Sequence, residues 1–342
     1  MRIRKPTASR EPAPAANSVC RAADPWDQSR RYEPGFVAVD VTVAICTRNR
    51  ANSLARTLES LRQMTIPDGL AWEVVVVDNA SRDATPAVLR DFAAKLPLRA
   101  EKEPVVGLSR ARNRAVAAAR GDWLVWTDDD VLVDANWLAA YVAAFRRWPD
   151  AAVFGGKVLP LLEPPTPDWF RAAQPLLGYL MAQRDFGDAP LPLCVAEGRV
   201  PFGANYAVRM QEQRGRQYDP DLGPGSASGR LGEETGLIDA ILGAGGTGWW
   251  LPDAVVRHSI TAKRQKVGYV FSYFRAHGVT AGFSGGADDV RLLFGVPRWL
   301  WRRLAVRFVR YHASRLYAPP QVWVKCLIDY AFDRGLLAAC LR

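Results

Sequence analysis

Between residues 41 and 133 the apolar positions fall into two kinds of set. "VTVAIC" (41–46), "WEVVVVD" (72–78) and "DWLVWTD" (122–128) are continuous and rich in β-branched or aromatic residues. Such runs mark strands covered on both faces. Between them the apolar residues are spaced as on a helix: Leu54, Leu58 and Leu61 after "TRNR", then Val88, Leu89, Phe92 and Leu96 in a helix expected around Pro86 to Leu96. "VGLSRARNRAVAAARG" reads as a loop, a helix and a glycine stop at Gly121. The order β-α-β-α-(α)-β predicts an α/β fold, with a Rossmann-like, mostly parallel sheet wound with helices.

Past residue 150 the pattern changes. "AAVFGGKVLPL" (151–161) predicts a strand returning to the core, and 162–200 is irregular, rich in proline and aromatics. "VPFGANYAVR" (200–209) reads as a strand or loop pair, and "GRLGEETGLIDAILGAGG" (229–246) as a glycine-rich loop feeding a helix that starts near Glu233. "WWLPDAVVRHSI" (249–260) predicts a final short strand ending at His258, with Trp249 and Trp250 in the core. From about 265 onward the chain is helical, aromatic and basic. In "PRWLWRRLAVRFVRYHASRLY", Trp301, Leu304, Phe308 and Tyr311 share one helical face, and Arg303, Arg307 and Arg310 lie opposite. Such a helix either lies in an anionic membrane surface, here through residues 290–342, or packs its apolar side on the rest of the protein.

Composition narrows the class. At 342 residues, with 49% hydrophobic and 23% charged residues, the chain is globular and can bury a sizeable core. The formal charge of +10 suggests an acidic partner: nucleic acid, anionic lipid or a phosphorylated ligand. No recognition motif for nucleic acid accompanies it, so no nucleic-acid partner is expected. The five cysteines are scattered without a CxxC pair, which signals neither a zinc site nor a disulfide framework. Residues 1–39 are basic and rich in Pro and Ala, lack the apolar core of a signal peptide, and are expected to be a disordered lead-in. No run reaches the ~18 apolar residues of a spanning helix. The expected location is cytoplasmic, peripheral at the inner face of the cell membrane if the C-terminal region docks there.

Ligands of open α/β sheets bind at the carboxyl ends of the parallel strands. Three successive strands end in polar groups: Thr47-Arg48-Asn49, Asp78-Asn79 and Asp128-Asp129-Asp130. All three groups should line one edge. Asp128 and Asp130 suit a hard cation, Mg²⁺ or Mn²⁺, which takes one or two carboxylates plus substrate phosphates. Val131, Leu132 and Val133 follow the triplet and exclude an EF-hand. Arg110, Arg112 and Arg114 open the neighbouring helix and add positive potential, and Asp78 is placed to accept a base N–H.

"ICTRNR", "VVVVDNASRD", "GLSRARNRAVAAARGDWLVWTDDD", "FGANYAVR" and "GEETGLIDAILGAGG", in that order, resemble the family 2 glycosyltransferases of the GT-A fold over roughly residues 40–260. The resemblance implies a GT-A domain over 40–264, divided into a nucleotide-binding part (40–135) and an acceptor part (136–264), followed by a helical, basic, amphipathic region over 265–342. It implies that Thr47, Arg48 and Asn49 lie over the nucleotide, with Asp78 and Asn79 at the base. Arg112 and Asn113 would lie near ribose or diphosphate, and Asn205 would face the diphosphate or acceptor. Asp128 and Asp130 match the family's D-x-D pair, bridging nucleotide and metal. The triplet leaves the register open by one residue, so Asp129 shares that role. His258 is a further candidate metal ligand. The family's base is the second residue of an acidic pair opening a helix, usually Glu-Asp; here the pair is Glu233-Glu234, with Glu234 the expected base and Glu233 the second candidate.

The implied reaction is a metal-dependent, inverting transfer from a UDP- or dTDP-sugar to a hydroxyl of a glycan or glycolipid in cell-envelope synthesis. Two rivals are weaker. A non-catalytic nucleotide-sugar-binding relative need not keep both the triplet and the glutamate pair. A sugar nucleotidyltransferase carries a glycine-rich, basic activation loop, and "CTRNRANS" is not one. "GAGGTG" (243–248) matches a dinucleotide-binding pattern but follows a helix and precedes a strand, the reverse of the required context.

Overall fold

The structure, a computed structural model, describes residues 39–223, 232–284 and 292–341. The lead-in expected over 1–39 lies outside the described residues but for Val39. The first half runs β1 (Val39–Thr47), α1 (Ala51–Arg62), β2 (Trp72–Asp78), α2 (Thr85–Ala93), β3 (Leu98–Lys102), α3 (Leu108–Ala118) and β4 (Gly121–Thr127). Then follow β5 (Val131–Val133), α4 (Trp137–Arg147), β6 (Ala151–Leu162), α5 (Asp168–Ala172), β7 (Leu191–Pro192), β8 (Asn205–Arg209), α6 (Met210–Arg214), α7 (Glu233–Gly243) and β9 (Thr247–Ile260). The chain closes with α8 (Val267–Ser284), a small hairpin of β10 (Leu292–Leu293) and β11 (Val296–Pro297), α9 (Arg298–Tyr317) and α10 (Pro320–Cys340).

The strands form one sheet in the order β3-β2-β1-β4-β8-β6-β9-β5, with β7 also on β9. Its first four strands are parallel; β8 enters antiparallel between β4 and β6, and β9 runs parallel to β6. The continuous apolar runs explain why. Val41, Val43, Ile45, Val74, Val76, Trp123 and Val125 point into one core with α1, α2 and α4. Their neighbours Ala44, Val75, Val77, Leu124 and Trp126 point into a second core with α3 and α7. A period-two chain with both faces apolar has to be covered on both sides. Gly121 starts β4 because a Cβ there would stand 2.5 Å from the Thr42 amide nitrogen.

Two elements differ from the sequence reading. β3 ("LRAEK") adds an edge strand whose burial alternates, with half-buried Arg99 and Glu101 ion-paired to Glu73 and Arg114 and with Ala100 and Lys102 exposed, so it lacks the apolar run of its neighbours. β9 is not short: it runs 14 residues, and its pairing with β6, interrupted by a register shift, reaches Ile260. The core assignment of the tryptophan pair holds, with Trp250 fully buried and Trp249 stacked on Trp148 at 4.6 Å. Among the described residues Cys46, Cys194, Cys326 and Cys340 are free thiols.

The C-terminal helices pack as a layer: α8 against α10, and α10 against α9. Leu304 and Tyr311 are buried as the expected apolar face requires, while Phe308 stays 46% exposed. Arg303 and Arg307 do not point to solvent as expected. Both bind the fully buried Asp333 of α10, through contacts of 2.5–2.8 Å. A buried carboxylate needs that compensation, and it rotates the helix toward them. Among the described residues no helix is long and apolar enough to cross a membrane.

Candidate active site

Strand β1 continues to β2 on one side and pairs with β4 on the other, so the carboxyl ends of β1 and β4 diverge at a topological switch point. A cleft of about 590 Å³ opens there. Thr47 ends β1 and donates from its hydroxyl to Asp129 Oδ2 at 2.7 Å. Arg50, leading into α1, donates to Asp129 Oδ1 at 2.8 Å and to Asp130 Oδ2 at 2.9 Å. Both oxygens of Asp129 are therefore engaged by the scaffold, while half-buried Asp128 lines the cleft.

Asp130 and His258 meet because β5 pairs antiparallel with β9, setting Val131 opposite His258. Asp130 Oδ1 lies 3.3 Å from His258 Nε2. The ring's Nδ1 lies 2.8 Å from the Met181 carbonyl and donates to it when Nε2 accepts from Arg264, also at 2.8 Å. Arg264 binds Asp130 Oδ2 as well, at 2.9 Å. Burial alone would raise Asp130, but His258, Arg264 and Arg50 outweigh it and hold the carboxyl well below the usual range. Burial pushes Asp129 up to about 6 despite Arg50, and burial with Asp130 nearby raises Asp128 too.

Across the cleft, Glu233 and Glu234 occupy the first turn of α7, where the helix dipole favours acids. Arg112 of α3 stands between them, 3.8 Å from Glu233 and 3.9 Å from Glu234. Its guanidinium lies 5.5 Å from the ring centres of both Trp126 and Tyr218, and it is almost fully buried. Burial, with Glu234 beside it, pushes Glu233 up to about 7 against the pull of Arg112. Glu234 is the more open of the two. Gly203 passes so close that a Cβ would stand 2.7 Å from Arg112 and 3.0 Å from Glu234.

The remaining wall is aromatic: Tyr179 and Phe202, with Tyr269, Tyr273 and His277 from α8. The Tyr273 hydroxyl donates to the Tyr179 carbonyl at 2.7 Å. Residues beyond 265 therefore close part of the cleft.

Thr47, Arg48, Asn79, Arg112, Asp128, Asp129, Asp130, Glu233, Glu234 and His258 all line this cleft. Four other expected residues are engaged elsewhere. Asn205 is fully buried beneath the sheet. It accepts from Trp137 Nε1 at 2.7 Å and Tyr141 OH at 2.8 Å, and donates to the carbonyls of Lys157 and Ala254. With its hydrogen-bonding capacity filled, it cannot face a diphosphate or acceptor. Asn113 clamps the backbone N–H and C=O of Tyr218, both at 2.8 Å, rather than reaching into the cleft. Asn49, at φ 52°, staples the loop after β1 to Ser81 and Arg82. Buried Asp78 accepts from the Ser81 amide at 3.0 Å. Asn79, though in the cleft, also holds the loop before α3 through Glu103, Val105 and Gly107. Sequence reasoning missed Arg50, Arg264 and the α8 wall. The usable signals were the second arginine of "TRNR" and the basic "AKRQK" directly after the His258 strand.

Residues 42–179 match the family model for glycosyl transferase family 2. The chain is 26% identical over 234 residues to the succinoglycan biosynthesis protein ExoM of Rhizobium meliloti (strain 1021), covering 67% of this chain and 70% of that protein. Its fold is similar to that of the mannosyltransferase PcManGT from Pyrobaculum calidifontis in complex with GDP-Man and Mn²⁺, with TM-score 0.54, 20% identity and 88% of each chain covered. It is also similar to residues 1–349 of S. aureus TarS in complex with UDP, with TM-score 0.52, 15% identity, and 88% of this chain and 91% of that one covered. Together these give the sheet and its flanking helices the GT-A architecture.

Proposed function

The chain belongs to the family 2 glycosyltransferases, and on that footing we propose that it moves a sugar from a UDP- or dTDP-sugar to an acceptor hydroxyl with inversion, in the synthesis of an envelope polysaccharide or glycolipid. The observation that carries this reading is one cleft with two carboxylate groups facing across it. Asp128 and Asp130, with His258, stand at the end of β4; Glu233 and Glu234, joined by Arg112, open α7. The similarity to ExoM supports the polysaccharide setting.

The residues at the β4 end fit a hard divalent cation. His258 binds Met181 through Nδ1, which leaves Nε2, the nitrogen beside Asp130, as the one that would take a cation in place of its 2.8 Å contact with Arg264. Its 3.3 Å separation from Asp130 Oδ1 is close to the roughly 3 Å expected between adjacent ligands of an octahedral Mg²⁺ or Mn²⁺. Among the described residues no group of three or more His, Cys, Asp and Glu side chains is placed to hold a metal ion, so the proposed site would need substrate phosphates to complete it. The cation, bound by Asp128, Asp130 and His258, would supply charge neutralisation to the leaving diphosphate.

The protein's own groups carry the remaining steps. Arg48 and Thr47 bound the nucleotide side of the cleft, and Arg50 and Arg264 hold Asp130 ionised. Glu234 takes the proton of the acceptor hydroxyl as its oxygen attacks the anomeric carbon opposite the breaking C–O bond. Arg112, 3.9 Å away, holds Glu234 in position. The acceptor rests on the aromatic wall of Tyr179, Phe202 and Tyr273, whose faces suit the C–H face of a sugar ring.

Calorimetric titration with UDP, dTDP and GDP, each with and without Mn²⁺ and repeated on Asp130→Ala, tests the reading. Metal-dependent binding of UDP or dTDP that the substitution abolishes is expected. Binding indifferent to Mn²⁺ would remove the cation, and failure of all three nucleotides would remove the donor site.

A further inference from the structure

Helix α9 turns an apolar stripe to solvent, on a face different from the one its sequence suggests. Leu300, Leu304, Tyr311 and Ser314 are its buried residues. Trp299, Arg302, Val306, Val309, Ala313 and Leu316 recur at alternating intervals of three and four, hence along one side of the helix. Val306 is 49% exposed, Val309 63% and Leu316 88%. The stripe runs about 27 Å to Tyr317 at ~1.5 Å per residue. At its start stands the β10–β11 hairpin, fastened by a 3.1 Å hydrogen bond from Trp301 Nε1 to the Leu293 carbonyl. The hairpin tip, Phe294-Gly295, has positive φ at both positions, 54° and 75°. Asparagine or glycine is favoured there, yet the residue is a phenylalanine 82% exposed.

Charge selects the occupant. Residues 292–319 contain six arginines and no acidic residue. Arg303 and Arg307 are bound to Asp333, whereas Arg298, Arg302 and Arg310 are exposed and have no acidic partner among the described residues. A second copy docked face to face would set these arginines against their own images. A lipid surface with anionic headgroups satisfies both halves of the stripe: side chains such as Phe294, Val309 and Leu316 enter the headgroup–acyl boundary while the arginines meet phosphates. Trp299 and Tyr317, near its two ends, suit the interfacial level.

We infer that α9 and the β10–β11 hairpin form a docking surface for an anionic bilayer, binding through Phe294, Trp299, Val306, Val309 and Leu316 with Arg298, Arg302 and Arg310. This surface is separate from the cleft and stands whether or not the proposed transfer does. Binding is interfacial, so it weakens with salt and requires anionic lipid.

The test is co-sedimentation of the full chain with vesicles of phosphatidylcholine and phosphatidylglycerol, beside vesicles of phosphatidylcholine alone. Val309→Asp/Leu316→Asp and Arg302→Glu/Arg310→Glu are compared with the parent, and circular dichroism verifies that each folds. The parent is expected to sediment with the mixed vesicles only, and each double variant to partition about tenfold less. Equal sedimentation by parent and variants, equal binding to the neutral vesicles, or no vesicle binding at all overturns the inference. A dimer that both variants dissolve, without vesicle binding, would instead give the stripe to a second copy.

Discussion

The Thr47 hydroxyl, at the end of β1, donates a 2.7 Å hydrogen bond to Asp129, just past the end of β4. This contact ties the ends of β1 and β4 together at the switch-point cleft. Asp129 is held by Thr47 and Arg50, so its charge serves the loop. Asp130 is held as well, by Arg50, Arg264 and His258, whereas Asp128 lines the cleft; the proposed D-x-D register puts both on the ligand side.

Asp128→Asn and Asp130→Asn should therefore each weaken Mn²⁺-dependent nucleotide binding by more than about tenfold. Thr47→Val should cost about 1.5 to 3 kcal/mol of stability, from one lost hydrogen bond to a charged group, with a much smaller change in nucleotide affinity. Calorimetry and urea melts on the three variants decide it. Equal losses of affinity at all three positions would mean the triplet acts as a unit.

Much of this site was legible because its parts are local. Three doubly covered strands and their polar ends are each readable from fewer than about ten residues, and the sheet rule then places those ends on one edge. What escaped depends on pairing across the chain. His258 meets Asp130 only through the β5–β9 ladder. Arg50 and Arg264 are two among 45 lysines and arginines until the loops place them. Asn205 follows small residues, "GA", and nothing local shows which face of β8 it takes. On α9 two stripes, Trp301-Leu304-Phe308-Tyr311 and Trp299-Arg302-Val306-Val309, share the same spacing, and only the buried Asp333 of α10 decides which turns inward.

The two glutamates of α7 should separate kinetically. Glu234→Gln removes the proposed base and should lower transfer about a thousandfold while leaving the nucleotide Kd unchanged. Comparable rates in variant and parent would leave Glu234 only its favourable place at the helix dipole.

Glu233 should be visible in the pH dependence of stability. Its carboxyl is raised to about 7 chiefly by burial, so the folded chain keeps a proton that the unfolded chain releases near the ordinary glutamate value. Its contribution is complete below that ordinary value and is lost as pH rises through about 7. The decline should amount to roughly 3 kcal/mol. Urea melts across that window should show the slope in the parent and a flatter one in Glu233→Gln. A parallel decline in both would assign the slope to other groups.

Asn205 should behave as a core residue. Asn205→Ala strands two donors and two acceptors, at Trp137, Tyr141, Lys157 and Ala254, for a loss of roughly 3 to 5 kcal/mol. Nucleotide affinity, measured where the variant remains folded, should be nearly that of the parent. A selective loss of affinity without a fall in melting temperature would put Asn205 back at the diphosphate.

Gly203 sets the spacing on the base side of the cleft. An added Cβ would stand 2.7 Å from the Arg112 guanidinium and 3.0 Å from Glu234. Arg112 yields poorly, because Trp126 and Tyr218 flank it at 5.5 Å each. The more open Glu234 should move instead. A displaced base with an intact donor site predicts a kinetic lesion: Gly203→Ala should lower single-turnover transfer by about 10- to 100-fold at nearly constant nucleotide affinity and melting temperature. Should affinity fall together with rate, the loop at Gly203 would belong to the donor side, and the division of the cleft by Arg112 would have to be redrawn.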